Sequence, residues 1–174
     1  ALYTLNLIIP AIAKIYPNID FNIIHGSSRK MTSEVINWNI DFGIVVNPIK
    51  HPDLVIKPIA QDYRTLFKTD KAQDKFIYDP HLTKSEALLK GIPKIKLKTK
   101  GHIHTNSLEL IAKLCSEGLG VGFLPNRIAK LYPNLSEVSG APKIKDQICL
   151  VYRKEKQTLL PSKRIIELIK SIQY

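Results

Sequence analysis

The sequence of 174 residues has few of the features that mark several protein classes. Its two cysteines, Cys115 and Cys149, are too few for a disulfide framework, form no metal motif, and both lie among apolar neighbours. We expect them to be buried free thiols, as is typical of the reducing cytoplasm. No apolar run approaches the roughly 20 residues that a membrane span needs, and the first residues show no signal-peptide pattern. These absences predict a cytoplasmic protein without a membrane partner.

Acidic residues are also scarce. The chain has 26 Lys and Arg against 15 Asp and Glu, which gives a net charge of +11. Such a balance is typical of proteins with nucleic-acid or other anionic partners. The densest basic run, at 94–104, carries lysines and then His102 and His104 at every second position. This period predicts an exposed edge strand guarded by charge rather than a nucleic-acid groove, because no aromatic residues alternate with the lysines to stack on bases.

The sequence also lacks the usual catalytic and metal-binding patterns. Ser27 has His25 nearby, but it does not lie in the G-x-S-x-G pattern of a nucleophile elbow. His102 and His104 would point to one side of a strand, yet nothing supplies a third metal ligand. Asp41 lies in an apolar stretch, which favours a structural role. We therefore predict no enzymatic activity, no metal and no cofactor.

Alternating helical and extended patterns run through the chain and predict an α/β protein. Apolar residues at helical spacing predict a first helix at 2–15, in which Pro10 would introduce a kink or local break. The apolar strand at 40–46 favours a parallel sheet covered on both faces. The remaining patterns predict strand 19–24, a helix from Ser27 or Ser28 to about Trp38, strands 54–59, 63–67 and 76–78, helix 82–90, basic strand 94–99, strands 120–124 and 147–152, and helix 162–172.

The stretch at 105–125 carries the strongest signal. We expect Asn106 to cap a helix at 107–117, with Glu109 completing a capping box and Gly118 ending the helix. A short buried strand follows and stops at Pro125. The start of a helix is a ready anion site, because its first N–H groups have no partner within the helix. The stretch therefore predicts a small-molecule site.

Six pieces of the chain, in this order, resemble the effector-binding domain of LysR-type transcriptional regulators. They are residues 7–10, 16–17, 23–28, 39–44, 54–59 and 105–125. The resemblance covers nearly the whole chain, with Asn39 where the family usually has glycine. It implies a two-lobed α/β fold like that of type 2 periplasmic binding proteins, in which each lobe is a mixed sheet flanked by helices.

The resemblance also implies a domain organisation and partners. Lobe I would comprise residues 1–62 and 159–174, and lobe II residues 63–158. The domain would bind a small-molecule effector and form homodimers, with tetramers possible in a full-length protein. Its dimer contacts would involve the helix at 107–117 and an apolar face of the first helix formed by Leu2, Leu5, Ile9 and Ile12. DNA would be bound only by the family's N-terminal winged helix-turn-helix, which we expect this sequence to lack, together with the family's first strand.

The resemblance places the effector, which we expect to be anionic, in a cleft between the lobes. The candidates to line the cleft lie near strand ends and helix starts: Ser27, Ser28, Asn47, Thr105, Asn106, Ser107 and Phe123. The alternative role for the polar residues at the helix starts is capping. The alternative for Asn47 is a role in a turn, and the alternative for Phe123 is packing in the core. For the chain as a whole, the alternative function is a periplasmic solute-binding protein of a transporter, which has the same fold.

Overall fold

The structure, a computed structural model, describes residues 2–82 and 100–172. The predicted helix at 82–90 and basic strand at 94–99 therefore lie outside the described residues, apart from Leu82. The elements are, in chain order, α1 (Leu2–Ile15), α2 (Ser28–Ile36), β1 (Phe42–Val46), β2 (Leu54–Lys68), β3 (Lys75–Tyr78), β4 (Gly101–His104), α3 (Leu108–Ser116), β5 (Val121–Pro125), α4 (Asn126–Ala129), β6 (Ser136–Glu137), β7 (Ile144–Arg153), a 3-10 helix (Lys154–Gln157) and α5 (Leu160–Ser171).

The chain divides into two compact units. The first unit comprises Ala1–Gln61 and Asp146–Tyr174, and the second comprises Asp62–Lys145. The chain passes from the first unit to the second between Gln61 and Asp62, within β2. This first crossing lies one residue from the predicted boundary after residue 62. The return crossing falls inside β7 and not at the predicted boundary after residue 158. It comes earlier because β7 pairs with β1, a strand of the first unit, from residue 148 onward.

The first unit contains a sheet with helices on both faces. Its strand order is β1-β7-β2, and β1 is antiparallel to β7, with Phe42 opposite Tyr152. This pairing corrects the expectation of a parallel sheet at this point. Alternate residues of β7 face opposite sides of the sheet. Leu150 and Tyr152 pack with α1 and α5 in one apolar cluster, whereas Cys149 and Val151 pack with α2 in another.

One sequence prediction for the first unit is wrong. Residues 19–24 form no strand, and residues 20–26 make no backbone hydrogen bond with any described residue. Their apolar pattern suits a strand, but a strand also needs a hydrogen-bonded neighbour. Pro10 lies inside α1, which continues unbroken from Leu2 to Ile15.

The second unit contains a mixed sheet with strand order β2-β5-β3-β4, and β6 pairs with β2. β2 is antiparallel to β5, whereas β3 is parallel to both β5 and β4. Helix α3 buries Ile111, Ala112 and Cys115, and Gly122 of β5 lies against this face. Gly118 has φ of +79° and ends the helix region, as predicted. No helix in the described ranges has the length and apolar character to cross a lipid bilayer.

Candidate functional site

The start of α2 carries two of the predicted site residues. Ser27 is the N-cap, and its Oγ accepts a hydrogen bond from the Lys30 N–H at 3.3 Å. Ser28 Oγ accepts from the Val46 N–H at 3.0 Å and so joins the helix start to the end of β1. Each serine thus has a structural role as an acceptor. Neither hydroxyl hydrogen has an acceptor among the described residues, so both can donate to a ligand.

Asn47 follows β1 directly and has φ of +48°, a left-handed conformation that asparagine tolerates well. Its Oδ1 accepts from the Gln147 N–H at 2.8 Å, and its Nδ2 donates to Asp146 Oδ1 at 2.9 Å. Asn47 therefore joins the end of β1 to β7 within the first unit. These bonds establish a structural role, and one side-chain N–H remains available. Ligand contact by Asn47 stays a prediction.

The first turn of α2 is positively charged. Arg29 and Lys30 both lie there, both are exposed, and the turn contains no acidic residue. A helix start normally favours carboxylates, because the helix dipole places partial positive charge at that end. Two cations at this position add to the dipole instead of offsetting it. The α2 start therefore attracts anions through charge, backbone N–H groups and the two serine hydroxyls. Our sequence reasoning missed both residues, although the order Ser-Ser-Arg-Lys at a predicted helix start was a usable signal.

The start of α3 differs from its prediction. Ser107, not Asn106, is the N-cap, and its Oγ accepts from the Leu110 N–H at 3.2 Å. The shift follows from Thr105, whose Oγ1 accepts from the Ser107 N–H at 3.2 Å and holds the turn one residue further along. Glu109 then lies at the second helical position and cannot complete a capping box. Its Oε2 accepts from the Ser107 hydroxyl at 3.4 Å instead.

Asn106 is the least constrained of the three residues at the α3 start. It is exposed, and its side chain has no hydrogen-bond partner within the described part of the chain. Both the amide oxygen and the amide N–H groups are therefore available as far as these described residues go. Glu109 adds negative charge at this helix start, so α3 attracts an anion less strongly than α2 does.

Phe123 lies in the core of the second unit. Its ring is completely buried and packs with Leu66, Phe76 and Val121. The guanidinium of Arg64 lies 5.8 Å from the ring centroid. Phe123 thus has no exposed surface for a ligand in this structure, and its predicted ligand contact stays a prediction.

Both cysteine thiols are buried. Burial raises the pKa of Cys115 to about 12 and also raises the pKa of Cys149. Thiolate, the reactive form, is therefore rare at either position at neutral pH. Across residues 2–82 and 100–172, no group of three or more His, Cys, Asp or Glu side chains could hold a metal ion. His102 and His104 stack with ring centroids 6.0 Å apart.

Sequence comparison identifies transcriptional regulators as relatives, although no family model matches the sequence. The HTH-type transcriptional regulator GltR of Bacillus subtilis (strain 168) is 25% identical, and the match covers 66% of this chain and 42% of GltR. CzcR of Bacillus cereus, also an HTH-type transcriptional regulator, is 26% identical, with 70% and 45% covered. The chain thus spans less than half the length of these curated relatives.

Structural comparison finds regulatory domains of LysR-type regulators. The regulatory domain of CcmR from Synechocystis PCC6803, solved in complex with 2-PG, has a TM-score of 0.72 at 16% identity, covering 98% of this chain and 91% of that one. A sulfate-bound mutant of the OxyR2 regulatory domain from Vibrio vulnificus gives 0.67 at 14% identity, with 96% and 87% covered. CbnR, a LysR family transcriptional regulator, gives 0.63 at 17% identity, with 95% and 64% covered.

These likenesses identify the fold. The chain has the mixed α/β fold of LysR-type regulatory domains, which is akin to that of periplasmic binding proteins. The predicted fold class and the resemblance noted in the sequence are both confirmed.

Proposed function

We propose that this chain is the effector-sensing regulatory domain of a LysR-type transcriptional regulator and that its effector is a small anionic metabolite. The observation that carries the proposal is the start of α2 in a domain of this fold. Two serine hydroxyls, the first N–H groups of the helix and the cations Arg29 and Lys30 all favour an anion there. In the second unit, Asn106 and Thr105 at the start of α3 are further polar candidates for ligand contact.

The proposed mechanism is a population shift without covalent chemistry. An effector that binds one arrangement of the domain more tightly moves the equilibrium by its difference in affinity, and by no more than that. Two of the structural neighbours support a ligand-binding role, because they were solved with 2-PG and with sulfate. DNA binding would belong to a helix-turn-helix in the rest of such a regulator, which would act in the cytoplasm. The names of the curated relatives favour this function over a periplasmic solute-binding protein.

A sulfate titration of the 174-residue chain tests the α2 site. We expect sodium sulfate to raise the melting temperature more than sodium chloride does at equal ionic strength. Arg29→Gln removes one charge-assisted contact and should weaken sulfate binding about tenfold, equivalent to about 1.4 kcal/mol. Lys14→Gln is the matched control, because it removes the same charge from the last turn of α1. Equal weakening by the two variants would show that sulfate responds only to net charge and would contradict the proposed site.

Asn106→Asp tests the contacts at the start of α3. It replaces the side-chain amide with a carboxylate, which repels sulfate. No hydrogen bond among the described residues is lost. We expect this variant to lose at least fivefold in sulfate affinity, measured by isothermal titration calorimetry. Asn18→Asp introduces the same charge at another exposed position and serves as the control. If both variants bind sulfate equally well, Asn106 is not a ligand contact.

We also propose that the domain forms homodimers through α1 and α3. Ile12 is buried within the first unit, so the predicted apolar face of α1 cannot contact a partner with all of its residues. The large apolar side chains that these helices leave exposed include Leu7 and Leu110, at 46% and 45% of their surface. Leu110→Glu should lower the average mass measured by sedimentation equilibrium toward that of a monomer, whereas Leu131→Glu, at another exposed leucine, should not. A wild-type chain that sediments as a monomer at high concentration would rule out the dimer.

A further inference from the structure

Strand β4 carries two histidines on one face. His102 and His104 are two positions apart, so both side chains point to the same side of the sheet, and both are exposed. Their imidazole rings lie nearly parallel, with centroids 6.0 Å apart and an angle of 20° between the ring planes. The fold therefore brings two exposed nitrogen ligands close together.

Aromatic rings of β3 lie against the two imidazoles. Strand β3 is parallel to β4, with Phe76 opposite His102 and Tyr78 opposite His104. The Tyr78 ring is steeply inclined to both imidazoles, and its centroid lies 6.0 Å from that of His102 and 4.6 Å from that of His104. Phe76 is buried and stacks on Tyr78 at 4.5 Å. These rings restrict the imidazoles on the side that faces β3, which lowers the entropy lost when a ligand orders them.

The chemistry of the pair favours one kind of ligand. Neutral imidazole is the side chain that most often binds metal ions. Structural zinc takes four protein ligands, whereas the described ranges contain no group of three or more His, Cys, Asp or Glu side chains that could hold an ion. Copper(II) differs, because it binds nitrogen more tightly than the other divalent ions of its row and favours a square arrangement of ligands. Two imidazoles can fill two corners of that square, and water can fill the others.

The two rings need only a side-chain adjustment to share one ion. With metal–nitrogen bonds of about 2.0 Å, imidazoles at adjacent corners of a square have centroids roughly 4–5 Å apart. The observed separation is 6.0 Å, and exposed side chains change rotamer readily enough to close the difference without a backbone movement. The neighbouring cation Lys100 does not oppose the ion with its full charge, because its Nζ lies 3.3 Å from Asp74 Oδ2.

We propose that His102 and His104 together chelate a copper(II) ion, each through one imidazole nitrogen, on β4 of the second unit. The lack of a third protein ligand argues against zinc at this pair but not against copper. His104 directly precedes Thr105, whose hydroxyl oxygen accepts from the Ser107 N–H at the start of α3. A bound ion would therefore restrain the strand that leads into that helix start. The inference does not rest on the proposed effector function.

A copper titration of the 174-residue chain tests the site. In a buffer that does not bind copper, we expect calorimetry with copper(II) chloride to show one ion bound by the pair, and electron paramagnetic resonance to show coupling to two imidazole nitrogens. His102→Gln and His104→Gln should each weaken binding about 100-fold, because a single imidazole loses the high effective concentration of the second. His25→Gln, at an exposed histidine of the first unit, is the matched control and should leave the affinity unchanged.

Three results would overturn the proposal. The first is an unchanged copper affinity in either His102→Gln or His104→Gln. The second is equal weakening in these variants and in His25→Gln, which would show that copper binds exposed histidines without preference. The third is a resonance spectrum with only one imidazole nitrogen. Sulfate takes no part in this titration, so the copper site and the proposed effector function are tested separately.

Discussion

Gly120 offers a sharp test of how the second unit is packed. It lies between α3 and β5, where a Cβ atom would come within 2.2 Å of the Lys75 carbonyl oxygen and 2.9 Å of its carbonyl carbon. Gly101 lies in β4, which pairs with the other side of β3, and it stands opposite the same Lys75. A Cβ atom at Gly101 would nevertheless meet nothing within 4 Å. The two glycines therefore form a matched pair. We predict that Gly120→Ala is strongly destabilising and that Gly101→Ala is not.

The expected size of the effect follows from the contact. Ordinary van der Waals contact for a Cβ begins near 3.4 Å, and the obstructing atoms belong to the backbone of β3, which cannot rotate away. Overpacking of this kind costs about 1–3 kcal/mol, and a backbone clash puts Gly120→Ala near the upper end. At roughly 2–4 °C per kcal/mol, the melting temperature should fall by about 6–12 °C. Gly101→Ala should be neutral or stabilising by up to about 1 kcal/mol, because it restricts the unfolded chain.

Urea denaturation provides the assay, with two probes. Far-UV circular dichroism reports on both units, whereas the single tryptophan, Trp38, lies in the first unit. The circular dichroism midpoint of Gly120→Ala should decrease by about 1 M or more, given slopes of about 1–3 kcal/mol per molar urea. The tryptophan transition shows whether the loss spreads to the first unit. If the two glycine variants agree within about 0.5 kcal/mol, the close approach of Gly120 to Lys75 does not constrain the fold.

Three further predictions concern polar and thiol groups of the second unit. Asp62→Ala leaves the guanidinium of Arg127, which is only 19% exposed, without the carboxylate it contacts. Unfolding free energy should fall by about 3 kcal/mol, and a double-mutant cycle with Arg127→Ala should recover part of this loss. The pKa of Glu137 is lowered by hydrogen bonds from Lys143 and the Tyr63 hydroxyl. The stabilisation that ionised Glu137 contributes is therefore complete above the usual carboxyl pKa of about 4.3, and it disappears as pH falls through the lowered pKa. Glu137→Gln should therefore lower the unfolding free energy at pH about 7. The same variant should have no effect once Glu137 is protonated in both the folded and the unfolded chain. Cys115, with its pKa raised to about 12, should not react with an aromatic disulfide reagent at pH about 8 in the native chain but should react fully on unfolding.

Most helices and several strands could be predicted from the sequence because their signals are local. The apolar spacing that defines α1 and the serine that caps α2 depend on neighbours a few residues away. The cap of α3 was misplaced by one residue because Ser107, whose own N–H donates to the Thr105 hydroxyl oxygen, caps the helix in place of Asn106. The strand at 19–24 was wrongly predicted because its apolar pattern is local whereas its hydrogen bonds would have to come from a distant segment.

The features that escaped prediction depend on contacts distant in sequence. The side chain of Asn47 bonds to residues 146 and 147, about a hundred positions later, and nothing near Asn47 indicates this. The return crossing between the units falls inside β7, within the polar residues 145–147, and such a short polar stretch does not by itself mark a boundary between two units. Of the candidate site, sequence reasoning located the two helix starts but overlooked the cations of α2, because it searched for hydrogen-bonding groups and not for charge.

The insertion of the second unit within the first has a consequence for biosynthesis. Strand β1 at 42–46 finds its partner only at 148–152, whereas the second unit is one uninterrupted stretch from Asp62 to Lys145. At about 5–20 residues per second, a ribosome needs roughly 5–20 s to make the intervening polypeptide. During that interval β1 lacks its β7 partner, whereas every residue of the second unit is synthesised before residues 148–152. The part of the protein that is translated first is therefore completed last.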